Sequence, residues 1–219
     1  MENQSLYKSE YINRLGEFSD LAPEAFRAFV KFDQQALAPG LLSAKQKELI
    51  AVAVAHITSC PYCIDLHVNA LKSKEGTKEE MAEAIMVATA LKAGSALAHG
   101  VNALCSYDKN YHNGELYKME YFSKLKAFSE LSGDAFAAFI DFDQKSLKAG
   151  LLTVLEKELI AVACAHVTGC PYCIDLHTKA AQKAGASKGQ MAEAIFVATA
   201  LKAGSALAHG VNALNAYEE

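Results

Sequence analysis

Two short stretches of this 219-residue chain hold residues whose types and spacing could do chemistry. Cys60, Cys63 and His67 fall at i, i+3 and i+7 within CPYCIDLH, and Cys170, Cys173 and His177 repeat the set within a second, identical CPYCIDLH. On a helix such residues share one face, so the two sulfurs lie close enough to close a disulfide. His67 lies one turn beyond Cys63, where it can take a thiol proton directly or through a water. Pro61 suits the first position of a helix, which puts Cys60 at the cap. There a partial positive charge and free N–H groups stabilise a thiolate.

Which sulfur attacks depends on two competing effects. The cap favours Cys60 and is worth about 0.3–1 kcal/mol, or about 2 when partly buried. A positioned base favours Cys63 and is worth about 10²–10⁴-fold in rate, or about 3–5 kcal/mol of barrier. The larger effect assigns attack to Cys63 and Cys173, with Cys60 and Cys170 resolving. Glu48 and Glu158 each stand twelve residues before the first Cys, at the head of an apolar run. A carboxylate there needs a partner or a raised pKa. It reads either as a proton carrier for His67 and His177 or as a solvated first-turn acid that favours the helix dipole.

Other readings of these residues stand beside the redox one. A Cys-x-x-Cys pair also holds structural zinc, and His56 and His166 extend each motif to His-x3-Cys-x2-Cys-x3-His. That pattern needs a continuous helix, and Pro61 argues for a break. His56 and His166 therefore read as structural or supporting groups, and His99 and His209 as core or interface histidines. Cys105 and Cys164 have no counterpart in the other copy, where Asn215 and Val54 stand, and read as passive. Tyr62 and Tyr172 line the expected pocket.

The elements that position these residues are written twice. Residues 11–109 match 121–219 without a gap, with about 60 of 99 positions identical. A repeat of this size is a domain-sized unit rather than a solenoid turn, giving units 1–110 and 111–219, joined through a polar, turn-prone segment at Asn113-Gly114. Each copy reads as helices. One spans residues 21–36, with Phe26, Phe29 and Phe32 at spacings of three. A second is apolar on most sides, is capped at Ser43 with Gln46 three residues on, and runs to about Thr58. A third runs from Pro61 to about Lys74, and a long fourth from Lys78 to Tyr107 behind a Thr77–Glu80 capping box. Thr153, Cys170-Pro171 and Ser187 with Gln190 repeat these signals, and no stretch alternates with period two long enough for a strand. Ala90, Gly94 and Ala98, with Ala200, Gly204 and Ala208, form small-residue faces suited to close helix packing within or between subunits.

Composition excludes several classes. Hydrophobic residues make up 52% and net charge is −4 with dispersed Lys and Arg, so the chain is globular and lacks a nucleic-acid footprint. The polar N-terminus and the lack of an uninterrupted apolar run of ~18 residues lead to an expectation of a cytoplasmic protein without a membrane role. Six cysteines in such a chain point to catalysis or metal rather than a disulfide framework.

KELIAVAVAH with Glu48, then CPYCIDLH, then the long Ala/Gly-rich helix resembles the alkylhydroperoxidase-D-like group of the carboxymuconolactone decarboxylase superfamily. The likeness covers residues 21–107 and 131–217. It implies an all-α fold of tandem duplicated helical units that assembles into trimers or hexameric rings, here a trimer of duplicated chains. It implies a thiol peroxidase or disulfide oxidoreductase acting on a peroxide or disulfide and re-reduced by a lipoyl-carrying or thioredoxin-like partner. Glu48, Cys60, Cys63 and His67, with Glu158, Cys170, Cys173 and His177, carry over as its catalytic sets, without a cofactor or metal. Tyr62 and Tyr172 depart from the His that precedes the second Cys in the best-known peroxidase member, which shortens the relay. The alternatives are a metal-binding or structural ring-forming protein with zinc at the Cys/His sets, and a carboxymuconolactone decarboxylase-like enzyme; the decarboxylase branch does not use a Cys-x-x-Cys pair.

Overall fold

A computed structural model describes residues 5–109, 111 and 114–218. Among these the chain is helical without strands, as the periodicity requires. Four helices form the first copy: α1 (Pro23–Leu37), α2 (Ala44–Thr58), α3 (Pro61–Ser73) and α4 (Lys78–Tyr107). The second copy repeats them as α5 (Gly133–Leu147), α6 (Val154–Thr168), α7 (Pro171–Lys183) and α8 (Lys188–Glu218).

Local sequence sets these boundaries. Ser43 Oγ accepts the Gln46 N–H while Gln46 returns a side-chain oxygen to the Ser43 N–H, and Thr77/Glu80 and Thr153/Glu156 do the same. Ser187 and Gln190 exchange the equivalent bonds at the start of α8. The first helix starts at Pro23, two residues later than expected, because Ala22 at φ −145° interrupts it. Before it the chain makes a 3-10 helix over Ser9–Glu17 and a turn of α-helix over Phe18–Leu21, neither of which was foreseen. In the joining segment Gly114 sits at φ +73°, while Asn113 and the 110/111 unit boundary lie at or beside positions outside the described residues.

The core is built on α2 and α6. Every residue from Lys47 to Ala55, and from Lys157 to Ala165, is buried, so these helices are enclosed on all sides. They pack against each other, and Gln46 Nε2 donates to Glu156 Oε1 at 3.2 Å. Gln46 and Glu156 are equivalent positions, and a residue meeting its own equivalent is the mark of a two-fold axis. The remaining contacts are reciprocal: α8 packs on α1, α2 and α3, and α4 packs on α5, α6 and α7. Each long helix therefore covers the opposite copy as well as its own.

A pair of clamps fastens this exchange. On α8, Glu193 accepts the Leu41 and Leu42 N–H groups at 2.8 and 3.0 Å and meets Lys47 Nζ at 3.1 Å. On α4, Glu83 does the same for Leu151, Leu152 and Lys157. Gly40 and Gly150 leave room, since a Cβ at either would run into that carboxylate. Burial pushes the carboxyl pKa of Glu83 and Glu193 up, but the two N–H donors and the lysine outweigh it and lower it overall. Their contribution to stability is thus present above the unfolded carboxyl pKa and lost as pH falls through the lower folded one. Glu193→Ala should cost about 1–3 kcal/mol, the cost of leaving buried donors unpaired, held down because Lys47 keeps the Ala36 and Ala38 carbonyls. Urea unfolding measures this.

By length and apolarity α4 and α8 could each cross a membrane, and 44% of the most apolar stretch of each is buried inside the molecule.

Candidate active site

Each thiol pair sits at the start of its helix because the local sequence puts it there. Cys60 is the N-cap of α3 at φ −92° and ψ 106°, and its Sγ accepts the Cys63 N–H at 3.2 Å; Cys170 accepts the Cys173 N–H at 3.3 Å. All six cysteines are thiols. Cys60 and Cys170 are wholly buried, while Cys63 and Cys173 are each 6% exposed.

The electrostatics of the pair are lopsided. The Cys63 thiol hydrogen-bonds the Cys60 sulfur and, against the opposing effect of burial, lowers its pKa to about 6, helped by the Cys63 N–H, the Ser205 hydroxyl and His209. The same bond, with burial and the neighbouring thiolate, pushes the Cys63 pKa far above the usual thiol range. Cys170 falls to about 6 in the same way, aided by His99 and Ser95, and Cys173 rises. Weighing the helix cap alone understates Cys60, because side-chain donors add to it. The donors around Cys60 favour its thiolate, and the sulfur with exposed surface is Cys63.

Glu48 and His67 form the pair that a buried carboxylate requires: His67 Nδ1 lies 2.9 Å from Glu48 Oε2, with both residues buried. Glu158 and His177 repeat it at 2.9 Å. The solvated first-turn reading of Glu48 is thereby set aside. The sequence reading missed a second acid in each set. Asp33 on α1 and Asp143 on α5 face these sets; burial raises their pKa, the nearby His lowers it and the nearby Glu raises it. The available signal was an acid on the apolar face of a Phe-rich helix, identical in both copies.

Beside the second pair lies a cavity of about 210 Å³. Leu91, Leu97, Phe139, Ile140 and Leu176 make its walls apolar, and Cys173, His177, Asp143 and Tyr172 reach it; Cys170 does not. Ala90, Gly94 and Ala98 also line it, and a Cβ at Gly94 would stand 3.5 Å from the Phe139 ring. The small-residue face of α4 thus makes room for the cavity and packs beside an aromatic side chain of the opposite copy.

A second missed feature closes the other side of each pair. Leu6-Tyr7-Lys8 and Glu10-Tyr11 recur as Leu116-Tyr117-Lys118 and Glu120-Tyr121, so the repeat begins before residue 11. Tyr7 lies 5.7 Å from Tyr62 and edge-on to His209, and Tyr117 lies 5.8 Å from Tyr172 and edge-on to His99. Asn212 and Asn102 donate to the Leu6 and Leu116 carbonyls. The two sites differ in one tie. Tyr62 donates to Asn212 at 3.1 Å, whereas Tyr172 makes no such bond to Asn102, whose Oδ1 is buried without a hydrogen-bond partner among the described residues.

His56 and His166 are held by the Val52 and Val162 carbonyls. Among the described residues no three His, Cys, Asp or Glu side chains converge to hold a metal ion. Cys105 and Cys164 are buried, and burial pushes Cys164 up to about 12.

The sequence profile described as "Carboxymuconolactone decarboxylase family" matches residues 23–104 and again 133–216. "Uncharacterized protein 4 in cox locus" of Paracoccus denitrificans is 42% identical over 95 residues, which is 43% of this chain and 86% of that protein. An uncharacterized protein of Cupriavidus necator is 32% identical over 98 residues, 44% of this chain and 87% of its own length. The crystal structure of a protein assigned as a gamma-carboxymuconolactone decarboxylase subunit, from Burkholderia xenovorans, superposes with a TM-score of 0.69 at 18% identity. That match covers 97% of this chain and 98% of the other, and it shows a shared fold.

Proposed function

The chain belongs to the carboxymuconolactone decarboxylase family, and on that premise we propose that each half carries a dithiol centre that reduces peroxides or disulfides. One observation carries this reading. Cys60, whose sulfur accepts the Cys63 N–H at a helix cap and is pushed toward thiolate by its donors, shares its helix with His67, which is paired to the buried Glu48, and the arrangement occurs twice. A passive core cysteine needs neither a thiolate nor a paired acid and base.

The chemistry follows from positions already given. Cys63 meets the substrate, and its proton passes to the Cys60 sulfur along their existing hydrogen bond as the Cys63 sulfur attacks. With a peroxide, the O–O bond breaks, an alcohol leaves and Cys63 becomes a sulfenic acid. Cys60 then displaces the hydroxyl as water, closing the disulfide. With a disulfide substrate the same two attacks release two thiols. The Glu–His pair and Asp33 protonate the leaving group. A lipoyl-carrying or thioredoxin-like dithiol restores the pair, and the working form is a cytoplasmic trimer of duplicated chains.

The family name and the description of the crystal-structure neighbour favour a second reading, a carboxymuconolactone decarboxylase-like enzyme. In it the Glu48–His67 pair moves protons on a carboxylated lactone and the sulfurs are idle. Assaying one preparation for both chemistries separates the two. The dithiol reading expects oxidation of a small dithiol by an organic peroxide or disulfide, lost in a variant carrying Cys63→Ser and Cys173→Ser. Carbon dioxide release from a lactone acid that survives in that variant would establish the second reading.

A further inference from the structure

We infer that the two sites differ in the substrate they prefer: the cavity beside Cys173 takes the aryl group of its substrate, and Phe122, replaced by Ile12 in the first copy, sets that preference. The inference deepens the dithiol reading. It rests on that reading for the peroxide chemistry and not for the binding.

Three rings from three elements line the cavity: Phe122, Phe139 and Tyr172. Phe122 ends the short helix Met119–Phe122 and stacks on Tyr172, with ring centroids 5.4 Å apart and planes 29° apart. Tyr117 meets the same tyrosine at 5.8 Å, so two rings fix Tyr172 in place. Phe139 comes from α5 and faces Gly94 of α4. The polar groups that share this lining are Cys173, His177 and Asp143, the ones with chemistry to do. A volume of about 210 Å³ exceeds the roughly 150 Å³ of an apolar cavity that admits benzene, so a phenyl group with a short branch fits.

The first copy keeps the same frame. A Cβ at Gly204 would stand 3.5 Å from the Phe29 ring, as one at Gly94 would from Phe139, and Tyr7 lies against Tyr62 as Tyr117 does against Tyr172. Only two of the lining positions change identity between the copies: Phe122 becomes Ile12 and Ile140 becomes Val30. The second change trades one aliphatic side chain for another. The first removes a ring. Ile12 sits in the 3-10 helix Ser9–Glu17, partly buried against the core, and an aliphatic side chain stacks neither on Tyr62 nor on a substrate ring. One added aromatic pair favours an aryl group by about two- to tenfold beyond its buried area. A peroxide that oxidises a dithiol accepts two electrons and leaves as an alcohol and water, so its organic group stays whole and its fit decides which pair reacts first.

The test makes the two pairs compete. Limiting cumene hydroperoxide or tert-butyl hydroperoxide is added to the reduced full chain, the reaction is stopped in acid, and free thiols are capped in denaturant. Peptide mass spectrometry then counts each disulfide, because the two CPYCIDLH peptides differ at Val68 and Thr178. The ratio of the Cys170–Cys173 to the Cys60–Cys63 disulfide should be about two- to tenfold higher with the aryl peroxide than with the alkyl one. Phe122→Ile should bring the two ratios together, and Ile12→Phe should do so by raising the first site. Each variant carries the residue that the other copy holds, and Ile12→Phe serves should Phe122→Ile fail to fold. Binding of cumyl alcohol to the reduced chain, followed by NMR titration, needs no reactive sulfur, and Phe122→Ile should weaken it by the same factor. Equal ratios for the two peroxides, or alcohol binding that Phe122→Ile leaves unchanged, overturn the inference. Both peptides staying as thiols under either peroxide, while the alcohol still binds in a Phe122-dependent way, overturn the dithiol reading alone.

Discussion

Replacing Cys63 and Cys173 together by serine is expected to lower peroxide or disulfide reduction by about 10³-fold or more, because the sulfur that meets the substrate is gone. The argument is one of access. Cys173 reaches the 210 Å³ cavity and Cys170 does not, and Cys60 and Cys170 have no exposed surface. The sulfur whose thiolate is favoured is thus enclosed, the reachable one favours its thiol, and the hydrogen bond between them links the two roles. Cys60 serves as the base for Cys63 and then as its resolving partner. The converse variant, Cys60→Ser with Cys170→Ser, should react more slowly with peroxide and stop at a sulfenic acid on Cys63 and Cys173 that a dimedone probe captures. Capture on Cys60 and Cys170 in the first variant, with nothing on Cys63 and Cys173 in the second, would reverse the roles. Turnover should also fall as pH drops below about 6, the Cys60 and Cys170 value, since a lowered thiol pKa leaves thiolate above it and none below.

Glu48→Gln with Glu158→Gln should lower the rate by about 10²–10⁴-fold, the usual worth of a positioned acid–base group. Gln keeps the size of Glu and a hydrogen bond to His67, but it cannot carry a proton or hold an imidazolium. Glu48→Ala should add a loss of stability of about 1–3 kcal/mol, because a buried His67 would lose its partner at 2.9 Å. The two variants separate proton chemistry from folding. If Gln at both positions leaves the rate unchanged while Ala lowers only the melting temperature, the Glu–His pair is structural. Steady-state rates and melting curves on the two proteins decide this.

Features that depend on neighbouring residues were legible in the sequence. Ser43 with Gln46 and Thr77 with Glu80 cap their helices as written, and Pro61 does put Cys60 at a cap. The apolar run after Glu48 is enclosed on all sides, and its carboxylate finds the histidine nineteen positions on. Features that depend on which helix meets which were not legible. The hold of Glu193 on Leu41, Leu42 and Lys47 follows from α8 crossing to the other copy, and periodicity does not carry that pairing. Asp33 and the repeated Leu-Tyr-Lys segment left traces, an acid among phenylalanines and a match beginning before residue 11, but only the fold shows what they face. The Ala90–Gly94–Ala98 face was read as a helix contact. It also lines a cavity, into which larger side chains at these positions would project.

The central claim is that each Cys-x-x-Cys pair is a working dithiol, and limited oxidation followed by mass spectrometry tests it most directly. The account predicts loss of four hydrogens, two disulfides joining Cys60 to Cys63 and Cys170 to Cys173, and four thiols regained on reduction, with Cys105 and Cys164 unchanged throughout. Oxidation confined to Cys105 and Cys164, with both CPYCIDLH peptides remaining as free thiols, would contradict it.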